Sequence, residues 1–237
     1  MFVSAVLLSL FVAPQTISAL PPGGGLERVN HIIVLTQENH SFDNYFGVLP
    51  YTPGANYHPA AGHGPCDPAD HQCVDGLTCT GTVGTRTFSC SNSNRTFDGG
   101  ELKVAQQRSY CSCNPEHEWV PAHQNANYED PNSMNSPLDG FARTNAKSRK
   151  LAADVMSYYT EAELSYYYEL AKTFAISDRH FSSVIGPTLP NRMYQMAATS
   201  FGHVVTIPSV FTPKTARQRA DTGQKTAPFL TCSTSTR

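Results

Sequence analysis

The sequence predicts an α/β domain built on a parallel sheet and carrying a disulfide-rich insertion. The first observation is a short β-branched apolar run, Val29-Asn30-His31-Ile32-Ile33-Val34-Leu35. Continuous apolarity over so few residues suits a strand buried on both faces, as in a parallel sheet. The second is a pair of helical patterns, one after Thr160-Glu161-Ala162-Glu163 and one after Gly186-Pro187. The third is that six of the seven cysteines fall within residues 66–113.

The chain has 237 residues, 17 Lys+Arg against 19 Asp+Glu and a formal net charge of -2. With 40% hydrophobic and 15% charged residues, it can bury a core and is not a disordered chain. The balanced charge provides no basic field, which argues against nucleic acid as the main partner. Residues 2–13 form an apolar stretch too short to span a bilayer, followed by small residues at Ser18 and Ala19. This pattern reads as a secretory signal peptide over residues 1–19, even without a basic residue after Met1. No other stretch is long enough for a transmembrane segment, so a secreted, extracellular protein is expected.

Cysteine usage agrees with that compartment. The gaps between Cys66, Cys73, Cys79, Cys90, Cys111 and Cys113 are six, five, ten, twenty and one residues. No C-x-x-C occurs, so neither a zinc knuckle nor a thioredoxin-like site is supported. Residues 56–114 read as an insertion in which disulfides supply the order that burial cannot, in a pairing the sequence leaves open. Within it, Asn94-Arg95-Thr96 is a glycosylation sequon on what reads as an exposed loop.

Each remaining element has a local reason. The strand at 29–35 ends in the polar cluster Thr36-Gln37-Glu38-Asn39-His40-Ser41, and open α/β sheets bind ligands beyond the carboxyl ends of their strands. Residues 114–147 are Asn-rich and read as irregular. Thr160 and Glu163 have capping-box form. Leu164, Tyr167, Tyr168, Ala171 and Phe174 then recur at helical spacing, so the tyrosines read as a packed helix face rather than a binding platform. Phe174-Ala175-Ile176 opens a second strand. Pro190 marks a helix start, and Asn191–Ala198 are good helix formers, with Met193, Met196 and Ala197 on one face. Thr188 thereby falls at a helix N-terminus, where backbone N–H groups and the dipole favour a phosphate.

Glu38 and Asn39 offer one anionic and one neutral oxygen, a donor set for a hard divalent cation. Thr188 is a weak nucleophile unless a base or metal lowers its pKa. Three ordered blocks make this constellation specific: Thr36 through Gly47; Glu116-His117-Glu118-Trp119 through His123 with Leu138-Asp139-Gly140-Phe141; and Asp178-Arg179-His180-Phe181-Ser182-Ser183 with Gly186-Pro187-Thr188-Leu189-Pro190-Asn191-Arg192. They resemble the signatures of the secreted phosphoesterase family, which holds bacterial phospholipases C and acid phosphatases of the alkaline-phosphatase-like superfamily.

The resemblance implies an alkaline-phosphatase-like parallel-sheet sandwich, of which residues 26–205 form the N-terminal portion. It implies hydrolysis of phosphate esters, phospholipids among them, by a metal-activated Thr188 that forms a phospho-enzyme. Glu38, Asn39 and Thr188 match metal ligands, His117 an active-site histidine, and Asn191 a residue placed to hold a phosphoryl oxygen. His123, Asp178 and His180 read as structural partners, and Arg192 as a salt-bridge residue. The family pattern continues with an acidic pair and further histidines. Here residues 206–237 hold eight Thr, five basic residues, the single acid Asp221 and the seventh cysteine, Cys232, and read as a disordered or aberrant tail after a truncation. A phospholipase C-like hydrolase is the first expectation. A catalytically inactive phosphate-ester-binding protein and an acid phosphomonoesterase are its competitors.

Overall fold

The computed structural model describes residues 29–206. The signal peptide at 1–19 and the tail beyond Thr206, Cys232 included, lie outside the described residues.

The chain forms two units, divided after Asn39. In the first, residues 29–39 contain neither helix nor strand, and Ile32, Ile33, Val34 and Leu35 are 73–91% exposed. This corrects the strand expected at 29–35. Apolar β-branched composition favours extended backbone, but a strand exists only where a neighbour pairs its N–H and C=O groups.

The second unit opens with helix α1, Phe42–Phe46, whose N-cap Ser41 accepts a hydrogen bond from the Asn44 N–H at 3.1 Å. A short 3-10 turn, Leu49–Tyr51, leads into the insertion. There β1 (His58–Pro59) pairs in parallel with β2 (Cys73–Val74), and β3 (Cys79–Thr80) pairs antiparallel with β4 (Ser89–Cys90). Next, β5 (Ser93–Arg95) pairs antiparallel with β6 (Glu101–Lys103). The strand β7 (Ala105–Gln106) runs parallel to β8 (Ser157–Tyr158), across the helices α2 (Trp119–Ala126), α3 (Phe141–Thr144) and α4 (Arg149–Val155). Two further helices, α5 (Ser165–Thr173) and α6 (Thr188–Ala197), follow. The fold class is mixed α/β. Its sheets, among the described residues, are four two-stranded pieces rather than one parallel sheet. The second strand expected at Phe174–Ile176 is absent as well; those residues leave α5 as irregular chain.

Disulfides join Cys66 to Cys73 and Cys79 to Cys90, the second across directly paired residues of β3 and β4. Loops this short gain about 2–3 kcal/mol per bridge from chain entropy. Cys111 and Cys113 are free thiols. Burial, and then the adjacent Asp154 carboxylate, push the Cys113 thiol up, which disfavours its thiolate.

The core centres on Leu49, Tyr159, Leu164, Tyr168 and Ala171, with Tyr45, Phe46, Tyr57, Tyr167 and Ile176 packed around them. The tyrosines of 158–168 are therefore packing residues in the main. The Tyr168 hydroxyl satisfies itself by donating to the Tyr159 carbonyl at 3.2 Å. The Glu163 carboxylate reaches back as in a capping box, the Thr160 N–H and hydroxyl both donating to its Oε2, at 3.0 and 2.8 Å. It caps a turn, however, and α5 begins only at Ser165.

The Asn-rich segment 114–147 is irregular over most of its length, as expected, but also carries α2 and α3, and buried amides tie these parts together. Asn145, fully buried, accepts from the Glu116 N–H at 2.8 Å and donates to the Phe141 carbonyl at 2.8 Å. Gly140 admits the close approach of α3 to α2: a Cβ there would lie 1.7 Å from the Gln124 carbonyl oxygen. The Asp139-Gly140-Phe141 motif thus has a packing origin.

The sequon at Asn94 does not lie on an exposed loop. Asn94 is buried, its amide donates to the Leu138 carbonyl at 3.0 Å, and its Oδ1 accepts from the Ala142 N–H at 3.4 Å. A glycan there would replace a hydrogen that holds β5 against the Leu138 carbonyl.

Candidate active site

Thr188 occupies the first position of α6, a ten-residue helix, and its side chain is exposed. A helix leaves four N-terminal N–H positions without internal acceptors. Here these are Pro187, Thr188, Leu189 and Pro190, and the two prolines carry no N–H. Only the Thr188 and Leu189 amides remain for an anion, beside the positive end of the dipole. Pro187 and Pro190 are themselves buried, which fixes the entry of the chain into the helix.

Asn191 holds the loop in front of Thr188. Its Oδ1 accepts from the Val184 N–H at 3.0 Å, and its Nδ2 lies 3.0, 3.2 and 3.1 Å from the carbonyls of Val184, Gly186 and Pro187. These bonds engage the amide with the loop that carries the threonine. The helix is longer than expected from Asn191–Ala198, and Met196 lies 84% exposed on it instead of facing a core.

Trp119, at the start of α2, lies against this loop. A Cβ on Gly186 would meet Trp119 Cε3 at 3.5 Å, so the indole packs two residues from Thr188. His117, two residues before Trp119, is exposed, and its Nδ1 lies 2.7 Å from the Pro115 carbonyl. A carbonyl can only accept, so Nδ1 carries the proton and Nε2 is the nitrogen left for proton exchange with a ligand. His123 is a structural partner, as expected: its Nδ1 donates to the Trp119 carbonyl at 2.8 Å and its ring lies 4.2 Å from the indole. Arg192 donates to Gln195 along α6 at 3.0 Å.

Asp178 and Arg179 are structural partners too, bonded to Asp75 and Cys66 of the insertion. The Arg179 N–H holds the Asp75 carboxyl below the usual carboxylate range. Nearby, Asp43 of α1 keeps solvent access, yet burial of its carboxyl and then the negative charges of Asp178 and Asp75 push it up to about 6.

In the first unit, Glu38 and Asn39 lie in exposed, irregular chain. Asn39 adopts left-handed backbone at φ 76°, which costs Asn little and bulkier residues more. Among the described residues, His58, Asp70 and Cys73 also bring ligand atoms within 4.8 Å of one another. That cluster is no metal centre, because the Cys73 sulfur is bonded to Cys66 and cannot bind as a thiolate.

Sequence reasoning missed the buried amides of Asn94 and Asn145 and the ties from Asp75. Asn enrichment in 114–147 was the available signal for Asn145. A carboxylate 104 residues from its arginine gives none.

The phosphoesterase family matches residues 29–231, a stretch that runs past the three sequence blocks. The chain is 32% identical over 203 residues to phospholipase C A of Mycobacterium tuberculosis, covering 82% of this chain and 34% of that protein. It is 28% identical to non-specific phospholipase C4 of Arabidopsis thaliana, covering 76% of this chain and 31% of that one. Against hemolytic phospholipase C of Pseudomonas aeruginosa the identity is 29%, with 73% and 20% covered. The chain thus spans about a third or less of the length of these relatives. With this match over most of its length, the chain belongs to the phosphoesterase family.

Proposed function

We propose that the protein is a secreted hydrolase of phosphate esters, phospholipase C-like, with Thr188 as nucleophile. The observation that carries this reading is the exposed hydroxyl at the first position of α6, on a loop held rigid by Asn191. Membership of a family whose similar proteins include phospholipases C supports the ester class. Two disulfides, and the absence of any helix long and apolar enough to cross a membrane among the described residues, are consistent with secretion. An alkaline-phosphatase-like sandwich is the architecture this reading implies.

In this reading the Thr188 and Leu189 N–H groups hold one phosphoryl oxygen while the Thr188 hydroxyl faces phosphorus. His117 Nε2, unprotonated while Nδ1 holds its proton, takes the proton that Thr188 releases and returns it to the leaving oxygen. Asn191 holds the loop that leads into Thr188, and from the same helix its amide is placed to hold a phosphoryl oxygen. Glu38, Asn39 and Thr188, the metal ligands the family resemblance implies, are each oxygen donors of the kind a hard divalent cation takes. When bound, such a cation supplies charge that lowers the pKa of a hydroxyl and neutralises phosphoryl oxygen.

The test compares p-nitrophenyl phosphate, bis(p-nitrophenyl) phosphate and phosphatidylcholine as substrates of the secreted chain, with and without chelator. Diester turnover that chelator abolishes supports the reading, and monoester turnover alone moves it to the acid phosphatase branch. Binding of phosphate esters without turnover of any substrate contradicts it.

A further inference from the structure

The segment between α5 and α6 carries the threonine block, yet residues 175–187 form no helix or strand. Something other than secondary structure must hold it. Downstream, Asn191 staples Val184 to Pro187. Upstream, the segment is fixed by the insertion, through four hydrogen bonds that close on themselves.

Asp75 is the hub. Its backbone N–H donates to Asp178 Oδ2 at 2.7 Å, its Oδ1 accepts from the Cys66 N–H at 2.7 Å, and its Oδ2 accepts from Arg179 Nε at 2.5 Å. Arg179 Nη2 completes the ring by donating to the Cys66 carbonyl at 2.8 Å. Both backbone groups of Cys66 are therefore engaged, and the Cys66–Cys73 disulfide closes the loop that presents them. The next residue, Gly76, is locked in turn: a Cβ there would lie 2.5 Å from the Gly47 carbonyl oxygen at the end of α1. Two consecutive residues of the threonine block, Asp178 and Arg179, are thus tied to chain more than 100 residues away. Only residues 180–183 separate that tie from the Asn191 staple.

We propose that the insertion is a clamp, with Asp75 and Arg179 as positioning residues that set the loop bearing Thr188. Neither residue is assigned contact with substrate. An Arg fork bonded to a carboxylate and a carbonyl fixes orientation as well as distance, which a Lys cannot reproduce. Displacing a nucleophile by about 1 Å can cost on the order of 100-fold in rate, so a clamp remote from the reacting atoms reads out in turnover. The effect on rate rests on the hydrolase reading above; the effect on loop order does not.

The experiment compares Asp75→Asn, Arg179→Gln, Arg179→Lys, the Asp75→Asn/Arg179→Gln double variant and the Cys66→Ser/Cys73→Ser variant with the wild-type chain. Amide hydrogen exchange is followed for peptides covering 178–188, with α5 peptides as the control for folding. The clamp predicts at least about 10-fold faster exchange in 178–188 with α5 unchanged, and kcat lowered about 10- to 100-fold at nearly constant KM. Arg179→Lys should fall between wild type and Arg179→Gln. The double variant should lose no more than the worse single one, because both delete the same contact. Unchanged exchange in 178–188, or faster exchange with unchanged kcat, overturns the proposal. If the wild-type chain turns over no ester, the hydrolase reading fails, and exchange alone then decides the clamp: faster exchange upholds it and unchanged exchange overturns it.

Discussion

Substituting Gly140 by Ala should be among the most damaging single-methyl changes in the protein. The Gly140 backbone has φ -97° and ψ -12°, which any L-residue adopts, so its requirement is purely steric. The added Cβ would sit 1.7 Å from the Gln124 carbonyl oxygen, where carbon and oxygen normally stay about 3.3 Å apart. Neither atom belongs to a flexible side chain, so α2 and the start of α3 must separate by more than 1 Å. That separation breaks the Gly140 N–H bond to Asn125 at 3.2 Å and the Leu138 N–H bond to Ala126 at 2.8 Å. Overpacking costs about 1–3 kcal/mol and each lost bond about 1 kcal/mol, giving about 4 kcal/mol in total. Against a stability of about 5–15 kcal/mol this is a large fraction. With a urea m-value of about 2 kcal/mol/M, the midpoint should fall by about 2 M. Gly64→Ala is the matched control, since its backbone is extended and no atom lies within 4 Å of its Cβ. It should unfold within a few tenths of a molar of wild type. Equal midpoints for the two variants would refute the packing account of the Asp-Gly-Phe motif.

Three further outcomes follow from named contacts. Asp43, raised to about 6 from 3.8, holds its proton more tightly in the folded than in the unfolded state. Stability should therefore rise as pH falls from 7 towards 4. Asp43→Asn should stabilise the protein at pH 7, by about 1 kcal/mol at most after solvent screening, and flatten urea midpoints measured across that window. The Cys79→Ser/Cys90→Ser double variant should lose about 2–3 kcal/mol, read by the same urea titration, whereas alkylating Cys111 with the disulfides intact should leave the midpoint nearly unchanged. Expressed in a glycosylating host, the folded protein should carry no glycan on Asn94 by peptide mass spectrometry, because its amide is buried against Leu138.

The parts legible from sequence were those set by local chemistry. Thr188 at a helix start follows from Gly-Pro and Pro190 around it. The packing of Leu164, Tyr168 and Ala171 follows from helical spacing, and the Thr160–Glu163 bond from capping-box form. Parts that depend on partners far along the chain were not legible. Residues 29–35 have strand composition, but pairing is a property of two segments, and one segment does not declare it. Asn191, expected to hold a phosphoryl oxygen, also reaches back to three carbonyls before the helix, contacts that its place one turn after Thr188 allows but does not declare. Asn94 carries a sequon in a polar stretch, and only the fold of α3 over it buries the amide. Asp75 is one of several acids in the insertion, and nothing local marks it as the partner of Arg179.

The central claim is that Thr188 takes the phosphoryl group. Acid-quenching the secreted chain during turnover of bis(p-nitrophenyl) phosphate, then sequencing its peptides by mass spectrometry, tests this directly. A p-nitrophenyl phosphate ester is expected on Thr188, one p-nitrophenol having left, and it should be lost together with turnover in Thr188→Ala. Turnover undiminished in Thr188→Ala, or a phosphoryl group trapped on another side chain, would contradict it.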